Sequence, residues 1–335
     1  MEFEFFIGID VSKGELDFAV QRGRELLFHR EIANEPQAIL AFIKELGRLP
    51  GFKLTGAVFC MEHTGIYNNH ALACLYKKHA CICLEAATQI KNSLGNIRGK
   101  NDKIDAIRIA GYAYKQREAL RLWKPKREMV QQLAHLAATR LRLITVKKQL
   151  KTPLKEHGAF SSVKVSRQSQ QICSHSLKAI DDDLNRADKA IEQLIKADTE
   201  LHSLFTLITS VSGIGKVTAV QIIVATNEFK DINNPKKFAC YAGVAPFADD
   251  SGKIIKKARV SHMANKKVKT LLHLSAIVAI QYNPDLKLFY QRKVLQEKKN
   301  KMSVINAVRN KLILRIFACV NQNRPYEKNY CKLVA

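Results

Sequence analysis

The segment "FEFFIGIDV" (residues 3–11) decides the fold, because two further short runs of strand type follow it at once. Those runs are "ELDFAVQ" (15–21) and "ELLFHREIA" (25–33), and the turn-like "SKG" and "RGR" connect them. Short β-type runs joined by tight turns are typical of antiparallel neighbours. The sequence therefore predicts a three-stranded meander at the beginning of a sheet.

Apolar strands then alternate with helical patterns. The segments are, in order, helix, strand, helix, strand and helix: "EPQAILAFIKELG" (35–47), "TGAVFCME" (55–62), "NNHALACLYKKH" (68–79), "ACICLEA" (80–86) and "GKNDKIDAIRIAGYAYKQ" (99–116). Apolar strands separated by helices predict parallel strands that are covered on both faces. The order βββαβαβα predicts a ribonuclease H-like fold of the α/β class.

Four acidic residues fall where this fold brings chain segments together. Asp10 lies in the first strand, and Glu62 closes the fourth strand, which lies beside the first in this fold. Asp102 and Asp105 lie three positions apart where a helix begins. Two carboxylates about 4 Å apart repel by roughly 4 kcal/mol at an effective dielectric of about 20. Such a cluster predicts a compensating divalent cation, and Mg²⁺ prefers carboxylate oxygens.

Helix capping is an alternative role for Asp102 and Asp105. An Asp at the N-cap position and a second acid in the first turn both satisfy free backbone N–H groups. Both also oppose the positive end of the helix dipole. The spacing of the two residues leaves capping and metal binding open.

The balance of charge favours nucleic acid as a partner. The chain carries 55 Lys and Arg against 30 Asp and Glu, a net charge of +25. The excess is concentrated in residues 121–171, with twelve basic and two acidic residues, and in residues 251–315, with sixteen and two. Basic residues beside the four acids are candidate phosphate contacts or simply solvated side chains: Arg98, Lys100, Lys103 and Arg108.

Other functional classes find little support in the composition. The sequence contains no apolar run of about 18 residues and no leader pattern at "MEFEFFIGID" (1–10). It therefore predicts a cytoplasmic protein without a membrane partner. Eight cysteines occur without a CxxC pair or a nearby His at zinc-ligand spacing, so we expect reduced cysteines in the core.

The chain becomes helical from about Pro125. Apolar residues recur at a 3-4 spacing that only Asp198 interrupts: Leu177, Ile180, Leu184, Ala187, Ile191, Leu194, Leu201, Phe205 and Ile208. This pattern predicts a coiled coil or helical hairpin at 177–208, although an amphipathic helix on a core has a similar pattern.

The segment "SVSGIGKVTAVQIIVA" (210–225) places Gly213 and Gly215 in a tight turn between two helical patterns. One interpretation is a helix-hairpin-helix element, in which backbone N–H groups at a helix N-terminus bind a phosphate beside Lys216. The other is an αα-corner that uses glycine for its geometry. The sequence does not decide between them.

Three domains are predicted. An α/β domain covers residues 1–125, a helical, coiled-coil segment covers 126–208, and a mainly α domain covers 209–335. The last domain carries the helix-hairpin-helix-like element and long helices at about 266–280, 284–298 and 304–320.

Four motifs resemble those of IS110-family transposases. "FIGIDVSKGELDFAV" (6–20), "CMEHTGIY" (60–67) and "GKNDKIDAIRIA" (99–110) are similar to the Asp, Glu and Asp-x-x-Asp motifs of the RuvC-like domain in that family. "AGVAPFADDSGKIIKKARVSHMANKKVK" (242–269) is similar to the signature of its C-terminal transposase domain. The resemblance covers nearly the whole chain, in the same order.

The resemblance implies a DNA recombinase of an insertion sequence. Asp10, Glu62, Asp102 and Asp105 would form the acidic half of the site, which binds Mg²⁺ or Mn²⁺. Ser251 would be the nucleophile that forms a serine–phosphodiester intermediate, activated by a metal or a carboxylate. From the residues alone, "DDSG" is strong turn chemistry. We leave Asp249 and Asp250 out of the predicted site, because either could be a turn residue.

The resemblance also implies partners. These are donor and target DNA, and a structured noncoding bridge RNA that selects the DNA sequences. A homo-oligomer is also implied, a dimer that becomes a tetramer in the synaptic complex, with the acidic domain of one protomer meeting the serine domain of another. The two basic blocks offer binding surfaces for these nucleic acids.

Three other classes of protein are alternatives to a DNA recombinase. A sugar-kinase or actin-like ATPase has a similar first motif, but it requires a second Asp-Gly phosphate loop that the sequence lacks. A RuvC-like Holliday-junction nuclease shares the four acids and acts by hydrolysis, without a serine. A nucleic-acid-binding protein without activity would have no need of the four acids.

Overall fold

The computed structural model describes residues 2–93, 101–247, 259–261 and 263–327. The chain divides into two compact units, Met1–Pro125 and Lys126–Ala335. The cysteines within the described ranges are all free thiols. Within the same ranges, no helix has the length and apolar content that crossing a membrane requires.

The N-terminal unit is built on one five-stranded mixed sheet. Its strands are β1 (Phe5–Val11), β2 (Glu15–Arg22), β3 (Glu25–Ala33), β4 (Ala57–Glu62) and β5 (Cys81–Glu85). Its helices are α1 (Pro36–Leu46), α2 (Asn69–Lys77), α3 (Ala87–Ser93) and α4 (Asp102–Lys115). The strand order is β3-β2-β1-β4-β5, with β1, β2 and β3 antiparallel and with β4 parallel to both β1 and β5. The predicted meander and βα units are confirmed, and the sheet is compatible with a ribonuclease H-like domain.

Both faces of the sheet are covered, and β1 shows how. Phe5, Ile7 and Ile9 point to the face that packs against α1 and α2. Phe6 and Gly8 alternate with them on the opposite face, which α4 covers. This period of two follows from strand geometry, so every second residue of β1 faces α4. Asp10 belongs to the face of Phe6 and Gly8.

Gly8 allows α4 to lie directly on the sheet. A Cβ atom at Gly8 would stand 2.1 Å from the carbonyl oxygen of Ala106 and 2.3 Å from the backbone nitrogen of Ala110. The two alanines of α4 also pack against Ala19 of β2, and all three are buried. Small residues on both sides therefore set the height of α4 above the sheet.

The C-terminal unit is mainly helical. Its helices are α5 (Glu128–Phe160), α6 (Val163–Ala197), α7 (Thr199–Thr209), α8 (Lys216–Thr226), α9 (Pro235–Tyr241), α10 (Lys266–Tyr282), α11 (Pro284–Gln291) and α12 (Lys301–Asn321). A short antiparallel pair, β6 (Pro246–Phe247) and β7 (Arg259–Val260), lies between α9 and α10. The three long helices predicted from the sequence are α10, α12 and α11, and α11 continues into a π-helical turn at Arg292–Gln296.

The helices α5 and α6 form an antiparallel hairpin. Arg140 pairs with Asp188 at 2.5 Å, and the next pair along the hairpin joins Lys147 to Asp181. From the first pair to the second, the residue number rises on α5 and falls on α6, so the two helices are antiparallel. The apolar residues at the base of the hairpin share one core with α8, α10 and α12. The structure groups residues 126–208 with 209–335 in one unit, and a domain boundary at 208 stays a prediction.

The predicted coiled coil at 177–208 is not one continuous helix. The helix α6 ends immediately before Asp198, and α7 begins immediately after it. Asp198 caps α7 by accepting a hydrogen bond from the Leu201 N–H at 2.9 Å. Arg127 also donates to its carboxylate, at 2.9 and 3.0 Å. The capping acid thus ends the apolar seam and starts a new helix.

Close packing accounts for the glycine turn before α8. Gly213 has φ +92°, and a Cβ there would lie 2.6 Å from Ala279 Cβ and 2.7 Å from the Ser275 oxygen. Lys216, at the start of α8, pairs with Glu192 of α6 at 2.6 Å. These contacts favour the αα-corner interpretation, and phosphate binding at this turn stays a prediction.

Several residues singled out in the sequence lie outside the described residues. They are Arg98, Lys100, Asp249, Asp250 and Ser251. The strands β6 and β7 flank the segment that contains Ser251.

Candidate active site

The strand register gathers acidic side chains into one row across the sheet. Asp10 is paired with Asp17, and Asp17 with Glu31. On the other side, Ile9 pairs with Met61, so that Asp10 and Glu62 follow as neighbours at the ends of two parallel strands. Glu62 in turn pairs with Glu85. Residues in the same register row point to the same face of a sheet, and this is the face that α4 covers.

The helix α4 brings the other two predicted acids to this face. Asp102 and Asp105 lie in its first turn, and Ala106, one residue later, packs above Gly8 of β1. The N-cap is Asn101, whose side chain accepts a hydrogen bond from the Lys103 N–H at 3.0 Å. The alternative in which Asp102 is the N-cap of this helix is therefore wrong. The dipole still favours both acids.

Burial and the neighbouring charges raise the pKa of two of these carboxyls. The pKa of Asp10 is raised to about 6, first by burial and then by the charges of Asp102, Asp105 and Glu62. The pKa of Glu62 is raised by burial and by the charge of Asp105. Four carboxyls therefore share one electrostatic environment. Such a set of hard oxygen donors fits Mg²⁺ or Mn²⁺, although the described residues include no preformed group of three or more metal-ligating side chains.

One cation lies at the edge of the acidic cluster. Arg108 Nη1 donates to Asp105 Oδ1 at 2.7 Å, one turn further along α4. This ion pair neutralises part of the charge of Asp105. Its position on α4 also makes Arg108 a candidate phosphate contact, as the sequence predicts.

Two further acids in the same row, each hydrogen-bonded to another side chain, were not predicted from the sequence. Asp17 is 7% exposed and its Oδ1 lies 2.7 Å from His29 Nε2. Glu85 accepts a hydrogen bond from the Tyr112 hydroxyl at 3.2 Å. Burial and the Glu85 carboxyl raise the pKa of Tyr112, so its hydroxyl stays protonated. An acid in an apolar strand needs a partner, so the sequence marks Asp17 as unusual, but it does not identify His29 or the acidic row.

Replacement of Asp10 by Asn is expected to change how stability depends on pH. The folded state holds the Asp10 proton to about pH 6, whereas the ordinary pKa is 3.8. Folded protein therefore binds more protons between these values, and stability falls as pH rises through this window. The shift corresponds to about 3 kcal/mol, which solvent screening of this half-buried carboxyl reduces to about 1–2 kcal/mol.

The measurement is urea unfolding in EDTA at pH 4 and pH 7.5. We expect the Asp10→Asn variant to be more stable than the wild type at pH 7.5, with the difference vanishing at pH 4. Equal stability of both proteins at both pH values would contradict the shared acidic environment.

Comparison with known proteins identifies the class of this molecule. A family model described as a transposase of the DEDD type matches residues 7–157, which include all four acids. A second model, described as the transposase IS116/IS110/IS902 family, matches residues 205–291. The matched parts of the chain thus belong to the transposases, enzymes that act on DNA.

Individual relatives narrow the class to a family. The chain is 31% identical over 246 residues to the pilin gene-inverting proteins of Moraxella bovis and Moraxella lacunata, and the match covers 70% of each chain. It is 27% identical over 139 residues to an uncharacterised 43.6 kDa protein of the insertion element IS110 from Streptomyces coelicolor, covering 42% of this chain and 34% of that protein. The chain belongs to the IS110 family of transposases.

Proposed function

We propose that this transposase exchanges DNA strands through a covalent bond between Ser251 and a DNA phosphate. The observation that carries the proposal is the convergence of Asp10, Glu62, Asp102 and Asp105 in one electrostatic environment. Such a cluster costs stability and is retained where a cation and a phosphodiester use it.

The covalent step conserves a phosphodiester bond. The Ser251 oxygen attacks the phosphorus, a serine–phosphate bond forms, and the bond from phosphorus to the 3′ oxygen breaks. The serine proton leaves to a base, and the departing 3′ oxygen takes up a proton to become a hydroxyl. In the second step the 3′ hydroxyl of another strand attacks the same phosphorus and releases the serine. Each step exchanges one ester for another, so rejoining requires no nucleotide cofactor.

A divalent cation completes the proposed site. Asp10, Glu62, Asp102 and Asp105 would hold Mg²⁺, or Mn²⁺. The bound ion would supply positive charge opposite the phosphate oxygens. Before DNA binds, the carboxylates repel it as an anion, so neutralising their charge is a condition for bringing a phosphodiester to this face of the sheet.

The nucleic-acid partners fit the basic C-terminal unit. The helix α5 exposes a series of cations to solvent: Arg142, Lys148, Lys151 and Lys155. Backbone phosphates of DNA and of a structured noncoding guide RNA would bind such a surface. We propose a homo-oligomer acting in the cytoplasm, in which the acidic unit of one protomer serves the serine of another.

The named relatives favour recombination over simple hydrolysis. The Moraxella proteins carry the name of a gene-inverting activity, which requires that cut strands be rejoined. A Holliday-junction nuclease needs the acids but neither the serine nor rejoining. A covalent bond between the protein and DNA forms in recombination through a serine, and it does not form in hydrolysis.

Replacing Asp102 or Asp105 by Asn is expected to reduce DNA cleavage by about a hundredfold to a thousandfold, as for loss of an electrostatic group in a catalytic site. The fold should survive, because Asn101 supplies the cap of α4. The measurement is cleavage of labelled element-end DNA, together with the melting temperature.

Asp285→Asn is the matched control. Asp285 is likewise a first-turn acid, at the start of α11, and it is exposed. We expect full cleavage by this variant. Retained cleavage by the Asp102 and Asp105 variants, with a fall in melting temperature larger than that of the control, would support a purely structural role.

A further inference from the structure

A buried arginine in the C-terminal unit has no acidic partner among the residues that the structure describes. Arg309 of α12 is 6% exposed, and its guanidinium is charged at any physiological pH. Within the described part of the chain, no carboxylate lies at ion-pair distance from it. A buried charge without a counter-ion is costly, so such groups usually pair with an anion.

The hydrogen-bond partners of Arg309 are neutral, and they use only two of its N–H donors. One Nη2–H donates to His273 Nδ1 at 2.5 Å, and Nη1 donates to Asn306 Oδ1 at 3.3 Å. The Nε atom is buried and has no hydrogen-bond partner within the described ranges. A guanidinium presents five N–H donors in a planar fork that matches two oxygens of a phosphate. The fork is therefore only partly used.

Two further nitrogen donors lie on the same two helices, Lys269 on α10 and the Asn306 amide on α12. Lys269 lies one turn before His273 on α10, and its Nζ is 3.5 Å from the position of a Cβ on Gly243. Asn306 Nδ2 donates to the Val244 oxygen at 2.7 Å. The cluster therefore lies against Gly243 and Val244, just before β6. His273 and Lys269 are half-buried, so the cluster opens to solvent on their side.

The electrostatics indicate an excess of positive charge. Burial and the Arg309 guanidinium lower the pKa of His273, which keeps the imidazole neutral and able to accept from Arg309. Burial also lowers the pKa of Arg309, with no acid to oppose it. A bound anion would remove this penalty.

We propose that Lys269, His273, Asn306 and Arg309 form a phosphate pocket that binds one backbone phosphodiester of the substrate DNA. The proposal rests on the DNA substrate of the transposase family and not on the serine chemistry. Phosphate is the anion that suits the unused arginine fork, and DNA is the phosphate source that a transposase meets. The pocket would fix the DNA beside the strand that leads to Ser251.

The test places a counter-ion inside the pocket. A His273→Glu variant puts a carboxylate where the imidazole accepts from Arg309, so an internal ion pair replaces the DNA phosphate. We expect DNA affinity to fall about tenfold or more and the slope of log affinity against log salt to shrink by about 1. Asn310→Glu, which adds the same charge at an exposed position of α12, is the matched control.

Inorganic phosphate provides a second readout. The melting temperature of the wild type should rise in phosphate relative to chloride at equal ionic strength, and that of His273→Glu should not. If His273→Glu fails to fold, Arg309→Lys replaces it, with lower DNA affinity at an unchanged salt slope, because the charge stays and the fork is lost.

Different results would contradict the phosphate pocket, its assignment to DNA, and the proposed function. Equal affinities and salt slopes for His273→Glu and Asn310→Glu would overturn the pocket, as would equal phosphate shifts for wild type and His273→Glu or full affinity of Arg309→Lys. Loss of affinity for RNA alone would overturn the assignment to DNA. Failure of the wild type to bind DNA would instead refute the proposed function.

Discussion

A Ser251→Ala variant is expected to form no covalent adduct with DNA and to exchange no strands, while binding DNA as the wild type does. The hydroxyl is the proposed nucleophile, and alanine removes it without changing the charge of the unit. The measurement is a denaturing gel of protein incubated with end-labelled DNA, in which an adduct migrates with the protein. Binding is followed separately by mobility shift.

Ser261→Ala is the matched control for this experiment. Ser261 follows β7, and its hydroxyl accepts a hydrogen bond from the Met263 N–H at 3.1 Å. We expect its adduct to form normally. An adduct that persists in Ser251→Ala would refute the serine assignment. Free cleaved ends without any adduct in the wild type would indicate a hydrolytic nuclease.

A Gly8→Ala variant is expected to lose about 3 kcal/mol of stability, at the upper end of the cost of overpacking. The added methyl group would stand 2.1 Å from the Ala106 oxygen, which is backbone and cannot rotate away. The helix α4 must therefore lift from the sheet and carry Asp102 and Asp105 away from Asp10. Urea unfolding and DNA cleavage should both report the change.

Gly111→Ala tests whether the effect is local. Gly111 also lies in α4, but nothing stands within 4 Å of a Cβ there. Alanine should add up to about 1 kcal/mol to helix stability and leave cleavage unchanged. A Gly8→Ala protein as stable and active as the wild type would show that the height of α4 does not matter.

The sequence predicted the N-terminal unit well because its signals are local. The turns of the meander, the apolar strands and the acids at strand ends each depend on a few neighbouring residues. The sequence could not reveal that Asp17 joins the acidic row, since this depends on the register of β1 with β2. The Asp17 partner, His29, lies on a third strand.

Long-range contacts also explain two helix boundaries that the sequence pattern does not place. The predicted coil ends at Asp198 because Arg127, 71 residues earlier, and Leu201 both bind its carboxylate. The heptad pattern contains neither contact. The cap of α4 is Asn101 and not Asp102, a shift of one residue that falls within the uncertainty of any helix boundary read from sequence. In both cases the residue types indicate that a helix boundary is near, but the sequence does not show which groups they bind.

The four acids are proposed to form one binding site for a divalent cation. Calorimetric titration of Mn²⁺ into the full chain tests it most directly. We predict a saturable heat in the wild type and in the Asp285→Asn control, and its loss in Asp10→Asn. A saturable heat of the same size in Asp10→Asn, or no heat in the wild type, would contradict the account.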